Sequence, residues 1–327
     1  MRGYIFTTTR GNKTNRKFTS IMINTLQSER NPWVSLLIVV FLSFGSAIIT
    51  PLIFSYLIAF AIGVEYVDLM HAMSDPMMHM DLKVPLLTMQ FLTSATSFIL
   101  VPLFYIWKYE NGEIKIYLDL EKTKLVPVLT AVFLAMTFMV VNSVFIEWNM
   151  NVKFPEGIES IARRLEDQGK ELTLFFTTFD SVPYFVYAIL VVAVVPAIGE
   201  ELLFRGLIQR QIFRITGNAH AAIWLAAIFF SAFHFQFYGF VPRMLLGALF
   251  GYLYFYSGNL VYPILAHFVN NGFTLLVMYL YQNGVVHFDI ENAEAAPLES
   301  VLIFAIIGAV LVVIFIKQFQ LKREIHR

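Results

Sequence analysis

The residues capable of chemistry in this sequence gather in three short stretches of otherwise apolar chain. The first holds Glu200, Glu201 and Arg205, within the run from Pro183 to Gln209. The second holds Phe230 and His234, and the third His267 and Asn271. An ionisable side chain at the bilayer centre costs about 2.5–3.5 kcal/mol on insertion scales, so such residues are rare in membrane segments and mark functional sites. Helical spacing sorts the first three. Glu201 and Arg205 are four residues apart, on one face, and able to pair. Glu200 lies about 100° round the helix and is the carboxylate left over for chemistry. The plainer alternative is that all three charges form a solvated helix end at the cytoplasmic interface.

The other two stretches repeat the spacing of four. Phe230 and His234 share one helical face, as do His267 and Asn271. Singly, a membrane histidine or asparagine is a helix–helix hydrogen-bonding group. Together with two carboxylates and an arginine they predict one shared polar cavity. Such a set suits hydrolysis: a carboxylate to take a proton from water, and imidazole and amide donors for a developing oxyanion. Losing one such donor typically raises the barrier by about 3 kcal/mol.

These residues need elements to hold them. Of 327 residues, 58% are hydrophobic and only 14% charged, against about 25% charged in soluble domains. Eight apolar segments approach or exceed the ~20 residues needed to cross a bilayer: 34–62, 86–107, 125–147, 183–209, 219–237, 241–257, 260–281 and 298–317. The expected fold is therefore all-α, a polytopic bundle of about eight membrane helices. Most of the 23 Lys and Arg fall in the N-terminal tail, alternate loops and C-terminal tail, which predicts both termini in the cytoplasm. The first 32 residues read as a basic cytoplasmic tail without a secretory signal. The expected organisation is that tail, helices one to three with a long outer loop over 33–182, a core over 183–281, and a last helix with a basic tail over 282–327. In the outer loop, Ile158, Ile161, Ala162 and Leu165 follow a 3,4 spacing that predicts an amphipathic helix lying on the bilayer or over the bundle. Pro196 is placed to kink the fourth span. Gly199 and Gly206, and the Gly247–Gly251 pair of the sixth span, admit close helix approach. On these boundaries Glu200 and His234 differ in depth by roughly 15 Å, an offset that would keep them apart. The absence of cysteine removes thiol nucleophiles, disulfides and cysteine-held metal. A net charge of zero gives no footprint for nucleic acid.

The pattern Glu200-Glu201-x-x-x-Arg205, Phe230-x-x-x-His234, His267-x-x-x-Asn271 resembles that of the CPBP family, the type II CAAX prenyl proteases, bacteriocin-processing enzymes and Abi proteins. The likeness covers about residues 183–281. It implies an intramembrane endopeptidase in which Glu200 activates water with help from His234. His267 and Asn271 would stabilise the oxyanion, and Glu201, Arg205 and Phe230 would support the site. It leaves open a zinc ion held by Glu200, His234 and His267, a metalloprotease, beside a metal-free glutamate mechanism. The implied partners are a membrane-associated peptide or protein substrate, processed at a CAAX-type or leader-type site, and the lipid bilayer. The implied location is a bacterial inner membrane. Two other readings fit an intramembrane charge cluster: a proton-coupled transporter using Glu200, His234 and His267 as a relay, and a non-catalytic scaffold or immunity protein.

Overall fold

A computed structural model of the chain describes residues 30–110, 114, 118, 120, 122–287 and 294–320. The basic tails expected at the two ends, save Arg30 and Lys317, lie outside the described residues, as do Lys115 and part of the loop 282–297. Helices α1 (Pro32–Ile62) and α2 (Tyr66–Ser74) come first, then α3 (Met80–Tyr109) and α4 (Leu125–Met150). Next are α5 (Glu156–Thr177), α6 (Val182–Thr216), α7 (Ala219–Ala232) and α8 (Phe240–Ser257). Last come α9 (Val261–Gln282) and α10 (Leu298–Gln320). No strand occurs among the described residues. The protein is an all-α, polytopic membrane bundle.

Among the described residues six helices are long and apolar enough to cross a bilayer: α1, α3, α4, α6, α9 and α10. The expected sixth span forms as α8 over 18 residues, close to its expected bounds, but is not among these six, and the fifth is shorter than the sequence suggested. The apolar run 219–237 is helical only to Ala232, giving 14 residues, or about 21 Å of rise against a ~30 Å hydrocarbon core. The chain then turns through Phe235, which adopts a left-handed φ of 55°. The fourth span errs in the other direction and continues to Thr216. Its polar extension survives because neighbours satisfy it: Gln209 donates to the Gly251 carbonyl at 3.3 Å and Gln211 to Glu110 Oε1 at 3.2 Å.

These two departures cancel the expected depth offset. From Glu200 to Thr216 the helix descends about 24 Å, and from Ala219 to His234 the chain climbs back about 23 Å. Gly217, left-handed at φ 64°, and Asn218, whose side chain caps the Ala221 N–H at 3.1 Å, make the reversal in two residues.

Helix α5 forms where an amphipathic helix was expected, but it presents a different face. Ala162 and Glu166 are buried, whereas Ile158 and Ile161 are each 47% exposed. The inward stripe is Ala162, Glu166 and Gly169, because what α5 covers is the polar loop between α7 and α8. The helix is pinned there by Arg163, whose guanidinium lies 4.0 Å over the Tyr238 ring.

At the centre runs α6, with every residue from Glu201 to Arg210 buried. Wider i→i+5 stretches at Ile189–Val194 and Glu201–Ile208 flank Glu200 on either side. Such insertions are rare and concentrate at functional sites.

Candidate active site

Pro196 explains one edge of the site. Having no N–H, it leaves the Val192 carbonyl, four residues earlier, without its helical partner. Asn271 of α9 takes that place, its Nδ2 donating to Val192 O at 3.4 Å. Asn271 Oδ1 accepts in turn from Asn270 Nδ2 at 3.1 Å. Gly199, one turn on, lies against α3: a Cβ there would stand 2.8 Å from Phe98 Cβ.

Glu201 and Arg205 pair as their spacing predicts, Arg205 Nη1 donating to Glu201 Oε1 at 2.8 Å with both side chains buried. The pair does more than neutralise itself. The same Glu201 oxygen accepts from His267 Nδ1 at 2.8 Å. An ionised carboxylate only accepts, so Nδ1 carries the proton and Nε2 is turned to the other side of the ring. There it faces Glu200, with Nε2 3.9 Å from Oε2. Glu200 is the more open carboxylate, its side chain 15% exposed against 0% for Glu201. The two adjacent glutamates thus differ in setting: Glu201 is buried between two partners and Glu200 is the more open.

Packing fixes the imidazole. The Phe250 ring stacks on His267 at 5.0 Å between centroids and 21° between planes, while Phe230 meets it edge-on at 6.1 Å. Arg205 sits 4.7 Å over the Phe230 ring and donates through Nη2 to the Gly247 carbonyl at 2.8 Å. Gly247 and Gly251 therefore form a slot with two acceptors four residues apart, into which Arg205 and Gln209 of α6 donate with the same spacing. A Cβ at Gly247 would crowd Phe230 and Arg205, and one at Gly251 would crowd Gln209 and Ile223.

His234 joins through Phe230. Its Nδ1 donates to the Phe230 carbonyl at 2.9 Å, and the two rings lie 5.1 Å apart. That bond leaves Nε2 with a lone pair, an acceptor rather than a donor. The loop carrying His234 is held by a residue that nothing in the sequence singled out. Asn149 of α4 donates to the Phe237 carbonyl at 3.1 Å and accepts from the Val241 N–H at 2.8 Å.

The resemblance left a zinc set open beside a metal-free one. Among the described residues no group of three or more His, Asp or Glu side chains is placed to hold a metal ion. Both imidazoles commit Nδ1, one to Phe230 O and the other to Glu201, and Glu200 stands off His267 by 3.9 Å. Glu200, His234 and His267 belong to one cluster without converging on a common point, so the residues do not fit a three-ligand zinc site.

With this geometry in view, residues 182–273 match the family model described as type II CAAX prenyl endopeptidase Rce1-like. This stretch is similar to an Rce1-like domain. The match runs from the start of α6 into α9 and includes every candidate residue. YpbD of Bacillus subtilis (strain 168), described as uncharacterized, is 31% identical over 93 residues, which is 27% of this chain and 42% of that protein. The likeness thus spans less than half of the relative's length. No solved structure matches the chain.

Proposed function

We propose that the chain is an intramembrane endopeptidase that cuts a membrane-associated peptide or protein by glutamate-activated water. The observation that carries this is the relay Glu200, His267, Glu201, Arg205. One partly exposed carboxylate faces Nε2 of an imidazole whose far nitrogen is anchored to a buried ion pair. The 3.9 Å gap at Glu200 is too wide for a direct hydrogen bond and wide enough to be bridged by a water oxygen or a substrate oxygen.

In this reading Glu200 takes the proton of the attacking water, and His234 Nε2 accepts the other hydrogen bond and orients it. As the tetrahedral oxyanion forms, His267 in its imidazolium form, with Nδ1–H held by Glu201, donates through Nε2–H, and the Asn271 amide donates as well. Glu200 then passes its proton to the departing amine. General-base work of this kind contributes about 10²–10⁴-fold, and each oxyanion donor about 3 kcal/mol. The match to a CAAX endopeptidase family supports a CAAX-type site in a membrane-associated substrate; a leader-type site and a bacterial inner-membrane location belong to the same proposal.

The deciding experiment is cleavage of membrane peptides by purified full-length protein, wild type beside Glu200→Gln, with and without chelator. Wild-type cleavage, loss in the variant and indifference to chelator are expected. A variant that still cuts would sink the role of Glu200. Proton-coupled flux in liposomes with no cleavage would replace the protease reading with a transporter.

A further inference from the structure

Beside the Glu200–His267–Glu201–Arg205 relay lies a second polar group that the hydrolytic machinery does not use. Arg243, in the first turn of α8, donates through Nη2 to Gln236 Oε1 at 2.7 Å. Its Nη1 is buried and has no partner. Glu166 on the inward face of α5 is 7% exposed and leaves Oε2 equally buried and unpartnered. The carboxylates whose charge acts on Arg243 are Glu166 and Glu200, yet no ion pair joins Arg243 to either. Two glycines make room for the Gln236 and Arg243 side chains. A Cβ at Gly169, on the same face of α5 as Glu166, would collide with the Gln236 side chain, and one at Gly239 would stand 2.9 Å from Arg243 Nη2.

A buried donor and a buried acceptor, each missing one partner, are costly to leave so, at about 1–3 kcal/mol apiece and more when charged. Their ligand can be specified. An anion would answer Arg243 but meet Glu166 and Glu200. A cation would answer Glu166 but meet Arg243. A neutral group offering one acceptor and one donor satisfies both, and an extended peptide offers that pair in every residue through C=O and N–H.

We propose that Arg243 Nη1 and Glu166 Oε2 form a main-chain clamp that holds an extended stretch of substrate beside Glu200. Arg243 receives a carbonyl and Glu166 an amide N–H. This rests on the protease reading for its substrate class but is tested apart from it. The clamp binds main chain, so it selects for an unwound segment rather than for side chains. A helical substrate has already spent those groups.

The test uses full-length Glu200→Gln protein, which reports binding without cutting. The probe is a fluorescein-labelled apolar peptide of about 20 residues, with a series in which one amide after another is replaced by an ester. An ester removes the N–H and weakens the carbonyl. At one position the ester is expected to weaken Kd at least about tenfold, the scale of a hydrogen bond to a charged group. The same ester is expected to cost nothing once Glu166→Ala is added. Arg243→Gln should likewise erase the penalty at a neighbouring position. A flat ester scan, absence of any binding, or an equal penalty with and without Glu166 overturns the clamp. So does a fall in melting temperature in Glu166→Ala with affinity unchanged, which would confine the pair to folding. Should Glu166→Ala not fold, the scan on the intact clamp decides alone. Cleavage of the same peptide by wild type is scored separately, so failure of the protease reading leaves the binding result standing.

Discussion

Glu200 and Glu201 are chemically identical neighbours with opposite fates, and the difference is one of partners. Glu201 accepts from Arg205 and His267 in a buried setting, so removing it leaves a guanidinium and an imidazole without their counter-charge. Glu201→Ala is expected to cost about 3–5 kcal/mol of stability, as breaking a buried pair does, read as a large drop in thermal midpoint in detergent. Glu200→Gln, at a position with no ion pair within hydrogen-bond distance, is expected to leave the midpoint in place. Equal midpoints for the two variants would refute the division of labour. The Glu201–Arg205 contact was legible from their spacing alone. The Glu201–His267 bond was not, because it joins residues 66 apart in the chain, and no local pattern encodes which face of α9 meets α6. The zinc alternative that the sequence left open does not fit the side-chain geometry for a related reason. Sequence supplied three suitable ligands, but the hydrogen bonds that orient each ring decide where its free nitrogen points.

Among the elements, α6 is the one the site is built on, and its irregularity is the working part. Proline frees Val192 O, Asn271 reaches for it, and α9 is thereby registered against α6. Pro196→Ala restores the missing N–H and lets the helix close on itself, in competition with Asn271. We expect equal or higher thermal stability, since a helix bond is regained, together with slower peptide cleavage because Asn271 loses its tether. Unchanged turnover would separate the kink from the chemistry. The kink was foreseeable from proline in an apolar run. The ends of α6 and α7 were not, because hydropathy cannot distinguish a polar residue facing water from Gln209 or Gln211 facing a carbonyl or carboxylate on a neighbouring helix. The Gly247–Gly251 motif signalled close packing but not that its carbonyls would serve as acceptors.

At the scale of the molecule, α5 is latched across the bundle at the far end from Arg163. Lys83 of α3 donates to Asp180 Oδ2 at 2.7 Å and to the Thr178 carbonyl at 2.9 Å. Gln282 of α9 holds the Thr177 carbonyl and the Phe179 N–H. The hydrogen bond from Lys83 keeps the Asp180 carboxyl below the usual carboxylate range. A group lowered in this way adds stability above its unfolded value of about 3.9 and loses it as pH falls through the folded one. Asp180→Asn should therefore melt below wild type by a constant margin near neutral pH. The two curves should converge below pH ~4, with the margin shrinking in salt because Asp180 is largely exposed. A margin that persists in acid would place the effect in packing rather than charge. The 3,4 spacing of apolar residues made the outer loop readable as a helix, but not the partner it covers, which depends on the α7–α8 loop that Asn149 of α4 holds beneath it.

The brevity of α7 reaches beyond the protein itself. Its outer face, with Trp224, Leu225, Ile228 and Phe229 exposed, offers surrounding lipid a wall about 21 Å high where the adjoining helices offer more. Acyl tails on that flank must shorten, tilt or leave a wedge that headgroups and solvent enter, and a thin leaflet is where a water molecule has the shortest path to a buried carboxylate. Peptide hydrolysis in short-tailed phosphatidylcholine vesicles is expected to outpace that in long-tailed ones. Rates independent of tail length would mean that the flank never sets the local thickness of the bilayer.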